Sequence, residues 1–531
     1  MAMKYLYICL LGMLLLFVAC TGKFRDFNTD LSGITDEDLI IDDNGYGIRL
    51  GIIQQGIYFN YDYGKGKNWP FQLTQNLNAD MFCGYMHDAK PLNGGSHNSD
   101  YNLQDGWNSA MWTQTYSYIF PQIYQSENAT RNVHSALFGI TKILKVEVMH
   151  RVTDYYGPII YKHFADAQSH YRPDTQKDVY YEFFNELDSA VCALTNYIEE
   201  KPESVEFTRF DILMDGKYTS WIKFANSLRM RLAMRLAAVD PGKARSEFLK
   251  GLENVYGVFE ADAEKVAVST KSGYTNPLGE INRVWNEAYM GAAMESILKG
   301  YDDPRLEIYF EPCTDEKNKG KFRGIRQGTC FAHSRYSGLS KLSWNQSTDA
   351  PLMTSSEVWF LRAEAALRGW TLEDEETCYH NGVENSFRQY GIYQMGDYLT
   401  IERKASDFVD AFDSDNDIKA RCKVSPQWNP QDDKETKLEK IITQKWIAMF
   451  PEGCEAWAEQ RRTGYPRLFP VRFNHSKNGC VDTEIMIRRL NFPGTLQTEN
   501  WEQYFALVKA LGADDNAGSR LWWDTGNNNL E

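Results

Sequence analysis

The chain has 531 residues, 57 Lys+Arg against 72 Asp+Glu, a formal net charge of −15 at pH 7, and 14% aromatic residues. Its 43% hydrophobic and 24% charged content is globular and excludes disordered, collagenous and fibrous classes. An acidic chain without basic tracts argues against a nucleic-acid partner, because phosphate neutralisation supplies most of that affinity.

At the N-terminus, Lys4 precedes an apolar run over 5–19, which Val18-Ala19-Cys20 closes. The run is shorter than the roughly 20 residues that cross a bilayer, so it reads as a targeting segment. A small residue directly before the cysteine resembles the lipobox of bacterial lipoproteins. That resemblance implies a cleaved signal at 1–19, acylation of Cys20 and a tether over about 20–40. A single helical domain then completes the chain from 20 to 531. An ordinary secretory signal ending in a chance cysteine shares the same charge and length pattern. The other mature cysteines, Cys83, Cys192, Cys313, Cys330, Cys378, Cys422, Cys454 and Cys480, form no C-x-x-C and lie at no zinc spacing, so they read mostly as buried free thiols.

Helical periodicity then recurs along the chain. Over 179–198, Tyr180, Phe183 or Phe184, Leu187, Val191 and Leu194 form one apolar stripe. Over 217–239 the stripe is Trp221, Phe224, Leu228, Leu232 and Leu236, and Asp240-Pro241-Gly242 stops it. A helix over 354–370 opens on Thr354-Ser355-Ser356-Glu357, a capping box in which Glu357 reaches back to the Thr354 backbone. Residues 379–390 read as its antiparallel partner, and 438–462 reads as a helix broken at Pro451-Glu452-Gly453. The connecting stretches 60–106, 265–279, 314–351 and 472–531 are rich in Gly, Asn, Asp, Ser and aromatics, and long irregular segments of this kind are usually functional. Ala363, Ala365 and Ala366 are small where helices must approach closely. The fold class that emerges is mostly α: a degenerate tetratricopeptide-like helical repeat scaffold with long decorated loops and little strand.

These segments, taken in order, resemble a known family. The run Trp221-Ile222-Lys223-Phe224-Ala225-Asn226-Ser227-Leu228, followed by Arg231-Leu232-Ala233, is similar to the signature helix of SusD/RagB outer-membrane lipoproteins of Bacteroidetes. Met353-Thr354-Ser355-Ser356-Glu357 through Ala366, Asp303-Pro304-Arg305, Gln444-Lys445-Trp446, Glu455-Ala456-Trp457 and Arg461-Arg462-Thr463-Gly464 match further signatures. Asp154-Tyr155-Tyr156-Gly157-Pro158 occupies the family's D-x-Y-G slot with its proline nearer the glycine. The resemblance implies a non-enzymatic surface lipoprotein that holds an oligosaccharide, or in some branches a peptide, over a SusC-like TonB-dependent transporter until import.

The signature arginines Arg229, Arg231, Arg461 and Arg462 read as helix-bridging groups, with Glu364 and Glu455 as candidate partners, because guanidinium forks suit buried carboxylates. Ligand contacts are expected on the loops instead, where sugar C–H faces stack on flat rings and hydroxyls meet planar polar groups. The candidates are Tyr85, His87, Tyr101 and Trp107 in the first loop, Trp285 and Tyr289 in the second, and Arg326 and Tyr336 in the third. Packing or a solvated loop is the competing role for each. Asp413, Asp415 and Asp417 resemble the start of a calcium loop, so a structural calcium is conceivable, but Ile418 and Val424 stand where such a loop needs glycine and glutamate. No G-x-S-x-G, P-loop, H-E-x-x-H or dinucleotide motif is present, and no cofactor is expected. A surface glycoside hydrolase stays open as the alternative of a different class, since the separation of two carboxylates in space is not legible in a sequence.

Overall fold

The computed structural model describes residues 44–59, 69–90, 92, 98–165, 172–202, 204, 207–270, 273–329 and 335–530. The signal segment, Cys20 and the tether lie outside them. The chain divides into two compact units, 1–49 and 50–531. Of the first, 44–49 are described, and they begin helix α1 (Asn44–Gly56).

The second unit is built from helices: α2 (Phe120–Thr130), α3 (Ser135–Tyr156), α4 (Gln176–Glu200), α5 (Tyr218–Arg235), α6 (Pro241–Leu252), α7 (Ala292–Gly300), α8 (Ser355–Leu367), α9 (Glu375–Gln389), α10 (Lys434–Ala448), α11 (Gly453–Thr463), α12 (Gly494–Glu499) and α13 (Trp501–Leu511), with shorter turns between them. Strands are few. β1 (Met86–His87) pairs antiparallel with β3 (Tyr289–Met290), and β2 (Lys265–Val268) pairs with β4 (Ala350–Thr354). The mostly α expectation therefore holds.

Successive helices pack as pairs, α3 on α4, α5 on α6 and α8 on α9, and α10 lies across α8. Each pair crosses at a glycine. A Cβ on Gly139 would come within 2.9 Å of the Ala190 carbonyl, one on Gly251 within 2.8 Å of the Asn226 carbonyl, and one on Gly382 within 2.7 Å of the Phe360 ring. A side chain there would force the axes apart and open voids along the pair, which close-packed interiors do not tolerate.

Most of the predicted helices form, with instructive shifts. α5 ends at Arg235, and Pro241 opens α6, its Asp240 carboxylate accepting the Lys243 N–H at 3.2 Å. Asp240-Pro241, expected as a stop, starts the next helix instead, because proline at the first turn forfeits no hydrogen bond, while α5 has already ended five residues earlier. At α8 the Thr354 hydroxyl accepts the Glu357 N–H, but the Glu357 carboxylate turns inward to Arg231, so half of the predicted capping box forms. The Glu357 side chain is taken by a partner with full charge rather than a backbone N–H. α9 starts four residues before the expected 379, where Asp374 caps it. The expected loop over 472–531 contains α12 and α13. α3 left no stripe in the sequence because nearly every residue from Ala136 to Tyr156 is buried, and a helix covered on all sides has no polar face to mark its period.

The helices meet around a buried charge network. Arg231 forks onto Glu357, Nε and Nη2 donating at 2.8 and 2.7 Å. Arg462 forks onto Glu364 at 2.8 and 2.7 Å and onto Glu459 at 2.7 and 2.8 Å. Arg235 pairs with Glu455 and Glu459, Lys445 with Glu459 at 3.0 Å, and Arg151 with Glu147 at 2.8 Å and Glu452 at 3.3 Å. All of these side chains are buried, and together they connect α3, α5, α8, α10 and α11. Burial pushes the Glu147 carboxyl up to about 7 against the pull of Arg151 and Arg231. The paired guanidinium and ammonium groups instead hold Glu459 well below the usual carboxylate range despite burial. Glu364 and Glu455, read from the sequence as arginine partners, both sit in this network. Arg305, also buried, forks onto Asp303 and donates to Ser386 and Gln444 at 2.9 Å, connecting α9 and α10 to the turn before residue 306.

A prediction follows from the contrast between buried and exposed pairs. Arg462→Ala leaves Glu364 and Glu459 short of a partner in the interior and is expected to cost about 3–5 kcal/mol in chemical denaturation. Lys250→Ala, which removes a surface pair with Asp188, is expected to cost under about 1 kcal/mol.

Candidate functional site

Three of the loops singled out in the sequence converge through their backbones. β1 pairs with β3 in the register Met86 with Met290 and His87 with Tyr289. Tyr289 bridges Lys341, and Gly291 bridges Ile325. The convergence depends on Gly291, where a Cβ would lie 2.3 Å from the Gly84 carbonyl oxygen; backbone approach this close admits no side chain. The result brings segments 85–90, 283–291, 323–329 and 335–341 together over a cluster of Ala89, Tyr289, Cys313, Ile325, Tyr336 and Leu339.

Inside this arrangement most of the predicted contact residues turn inward. Tyr85 is fully buried, its hydroxyl donating to the Trp446 carbonyl and its ring lying 5.0 Å from Trp446 and 5.2 Å from Phe450. His87 is buried with Nδ1 against the Asp88 carbonyl. Tyr101 is buried at a positive φ of 66°. Tyr289 is buried and donates to the Ser337 carbonyl at 3.2 Å. Tyr336 is buried, donating to Asp410 at 3.0 Å. Arg326 is buried and spends its guanidinium on the Pro470 carbonyl at 3.0 and 3.2 Å and the Asn416 carbonyl at 3.2 Å. These six side chains hold loops in place rather than facing solvent. The physical reason is common to all: an aromatic ring or a guanidinium fork carries both apolar area and a polar end, so it can cement a loop to the core as readily as it can meet a ligand.

Trp285 and Trp107 are half-buried, in separate places. Trp107 belongs to the short helix Asp105–Asn108. Trp285 ends the turn Ile281–Trp285, next to Asn286, whose φ of 56° reverses the chain. Around it, Lys90 Nζ donates to the Trp285 carbonyl at 2.7 Å and reaches Glu287 at 3.3 Å, Gln72 donates to Glu287 at 2.7 Å, and Lys341 donates to the Asn286 side chain at 2.8 Å. The half-buried Trp285 therefore lies in a segment that carries an amide and a carboxylate and meets two ammonium groups, a residue set suited to stacking on a sugar's apolar face and meeting its hydroxyls. The sequence reading missed Phe412. It is half-buried, meets Tyr336 edge-on at 5.1 Å, and carries the exposed Arg335 guanidinium 5.5 Å over its ring. The signal for it is present in the sequence: an aromatic directly before the Asp413–Asp417 segment.

Burial sets the electrostatics beneath this face. It pushes the Asp88 carboxyl up to about 8, against the Lys90 N–H that donates to it at 3.1 Å. It also pushes Arg326 down to about 10, helped by the neighbouring Arg472. The carboxylates considered for calcium serve turns: Asp413 accepts the Asp415 N–H at 3.1 Å, and Asp417 accepts the Asp410 N–H at 2.7 Å. Among the described residues, no group of three or more His, Cys, Asp or Glu side chains is placed to hold a metal ion.

The profile of the SusD-like family, described as Susd and RagB outer membrane lipoprotein, matches residues 26–524. The chain belongs to the SusD-like family. Solved relatives bear this out. A SusD homologue from Bacteroides vulgatus shares 45% identity with a TM-score of 0.88, covering 92% of this chain and 99% of its own. A chitin-binding SusD homologue from Flavobacterium johnsoniae shares 36% identity with a TM-score of 0.87, over 91% and 99% of the two chains. A SusD homologue from Bacteroides thetaiotaomicron shares 29% identity with a TM-score of 0.80, over 90% and 98%. No curated protein matches the chain. In this SusD-like chain the signature residues Arg231, Glu357, Glu455 and Arg462 lie in the charge network.

The inward placement of Tyr85 is open to measurement. Tyr85→Phe strands the Trp446 carbonyl and is expected to cost about 1 kcal/mol in chemical denaturation, whereas a solvent-facing tyrosine would cost nothing measurable.

Proposed function

We propose that this SusD-like protein is a non-enzymatic glycan-binding lipoprotein of the outer face of the outer membrane, which captures oligosaccharide and passes it to a SusC-like TonB-dependent transporter. The observation that carries the reading is the match to a chitin-binding SusD homologue at 36% identity over 91% of the chain. The Trp285 segment supports it, joining an indole suited to stacking with amide, carboxylate and ammonium groups.

Hydrolysis of the glycan finds less support. A glycosidase needs two carboxyl groups about 5–5.5 Å or 6.5–9.5 Å apart, both facing a cleft that admits the sugar. The buried glutamates of the charge network are instead held by arginines and lysine, and the void that Glu357 and Glu452 border has a volume of only about 10 Å³. That is room for a single water. No described helix is long and apolar enough to cross a membrane, and the reading puts attachment on acyl chains at Cys20.

Titration calorimetry against soluble glycan fragments and peptides tests the ligand class. Saturable binding of an oligosaccharide, without release of reducing ends, is expected; saturable binding of peptides alone, or new reducing ends, would overturn the reading. Trp285→Ala is expected to weaken the oligosaccharide about 2- to 10-fold, the equivalent of one ring contact. Cys20→Ala should move the protein from the membrane fraction to the soluble fraction, and wild-type protein should copurify with a TonB-dependent transporter from detergent-solubilised outer membranes.

A further inference from the structure

A second feature lies away from the Trp285 face, where the chain's last two helices meet the segment before α2. A cavity of about 820 Å³ opens there between segments 101–108, 476–480, 491–497 and 515–517. The volume lies within the range of ordinary ligand pockets, roughly 300–1,000 Å³. Its walls are rich in amides, among them Asn102, Asn108, Asn478, Asn491, Gln497 and Asn516.

The walls are built, not incidental. Asp105 accepts the Gly494 N–H at 3.1 Å, and a Cβ on Gly494 would lie 2.8 Å from the other oxygen of that carboxylate. Asp515 accepts the Phe492 N–H at 3.1 Å and Arg489 at 2.6 Å, while Asn491 donates to the Asp515 carbonyl at 2.6 Å. Gly518 passes so close to the Cys480 carbonyl that a Cβ would be 1.9 Å away, which locks 476–480 against 515–518. The two lining carboxylates thus serve the walls, and Arg489 neutralises one of them. Beside Ser476 and the exposed Lys477, amide groups make up most of the wall's remaining hydrogen-bonding surface: the side chains of Asn102 and Asn478 take no protein partner among the described residues. Such a wall suits an uncharged, hydroxyl-rich ligand, since each carboxamide both donates and accepts.

Aromatic rings adjoin the cavity. On α13, Trp501 and Phe505 are 60% and 56% exposed, one helical turn apart, with ring centroids 5.6 Å apart and planes inclined by 36°. Tyr504 lies beside them, its ring 6.4 Å from Trp501, and its hydroxyl lies close enough to Asp515 and Gln497 of the cavity wall to feel both electrostatically. One side chain therefore separates the exposed rings from the cavity. Scattered exposed apolar residues are ordinary, but two adjacent rings beside an amide-lined cleft form a stacking surface next to hydrogen-bonding groups.

We infer that the α12–α13 segment and the adjoining cavity form a second saccharide site, which takes a neutral oligosaccharide with sugar rings stacked on Trp501 and Phe505 and hydroxyls held by the cavity's carboxamides. The inference rests on the glycan-binding reading above and adds a place on the molecule to it. A two-site protein grips a long chain more tightly than a short one, because the second contact becomes intramolecular once the first has formed.

The test uses the full mature chain with chitohexaose, maltohexaose and cellohexaose, titrated by calorimetry and by tryptophan fluorescence. The variants are Trp501→Ala/Phe505→Ala, Asn102→Ala/Asn478→Ala, Trp285→Ala, and the last combined with the first. The α13 rings are exposed, so melting temperature should stay within about 2 °C of wild type. For the hexasaccharide that wild type binds, each of the first two variants should bind about 2- to 10-fold more weakly, and the combined variant about 4- to 100-fold more weakly. Unchanged affinity and stoichiometry in both the ring and the amide variants would overturn the second site while leaving the glycan-binding reading intact. Loss of transporter copurification with unchanged sugar affinity would overturn it too, assigning α13 to a protein partner. Absence of saccharide binding by wild type at any concentration, with peptides bound instead, would sink both readings together.

Discussion

The structure depends on charge buried where several helices meet. Arg151, Arg231, Arg235, Lys445 and Arg462 face Glu147, Asp154, Glu357, Glu364, Glu452, Glu455 and Glu459 with almost no access to water. Taking so many ions out of water is unfavourable by several kcal/mol each, and only near-ideal geometry repays it. The forked contacts of Arg231 and Arg462 meet that condition. An alternative helix register would leave some of these charges buried without partners, so the network selects one arrangement of α3, α5, α8, α10 and α11 even where hydrophobic packing alone would accept several.

On that frame, close backbone approach decides where the loops go. Gly139, Gly251 and Gly382 let the helical pairs touch, and Gly291 lets β3 press on the backbone at Gly84. The first three set the spacing of the scaffold, and the fourth brings the loops after 84, 283 and 323 together. At the other end of the chain, Gly494 and Gly518 do the same for the amide-lined cavity. The absence of a side chain is what positions both candidate ligand surfaces, although neither surface is itself made of glycine.

Part of this was legible in the sequence, and the division follows physical lines. α4, buried along one side only, announces itself through a stripe, and the ordered signatures from Trp221 to Gly464, several of them in the largely buried α5 and α8, point to the family. α3 was invisible because it is buried on every side, and α12 and α13 were hidden in a stretch whose Gly, Asn and Asp content resembles loop. For the candidate site, the aromatic and polar content of the loops was legible but the direction each ring faces was not. Tyr85, Tyr289 and Tyr336 sit among polar residues in the sequence, yet their rings turn inward, while Trp501 and Phe505, at helical spacing that suggests packing, turn outward.

The sequence by itself determined the mostly helical class and the family, because these depend on local periodicity and on the order of motifs. Which aromatic faces solvent was decided by tertiary structure alone. A ring at a given position meets either core or water according to what the rest of the chain brings alongside it, and the partners that cover Tyr85 and Tyr336 come from positions 446, 450 and 410. Contacts separated by tens to hundreds of residues carry no local signature, so composition could say that the rings had a use but not which use each ring has.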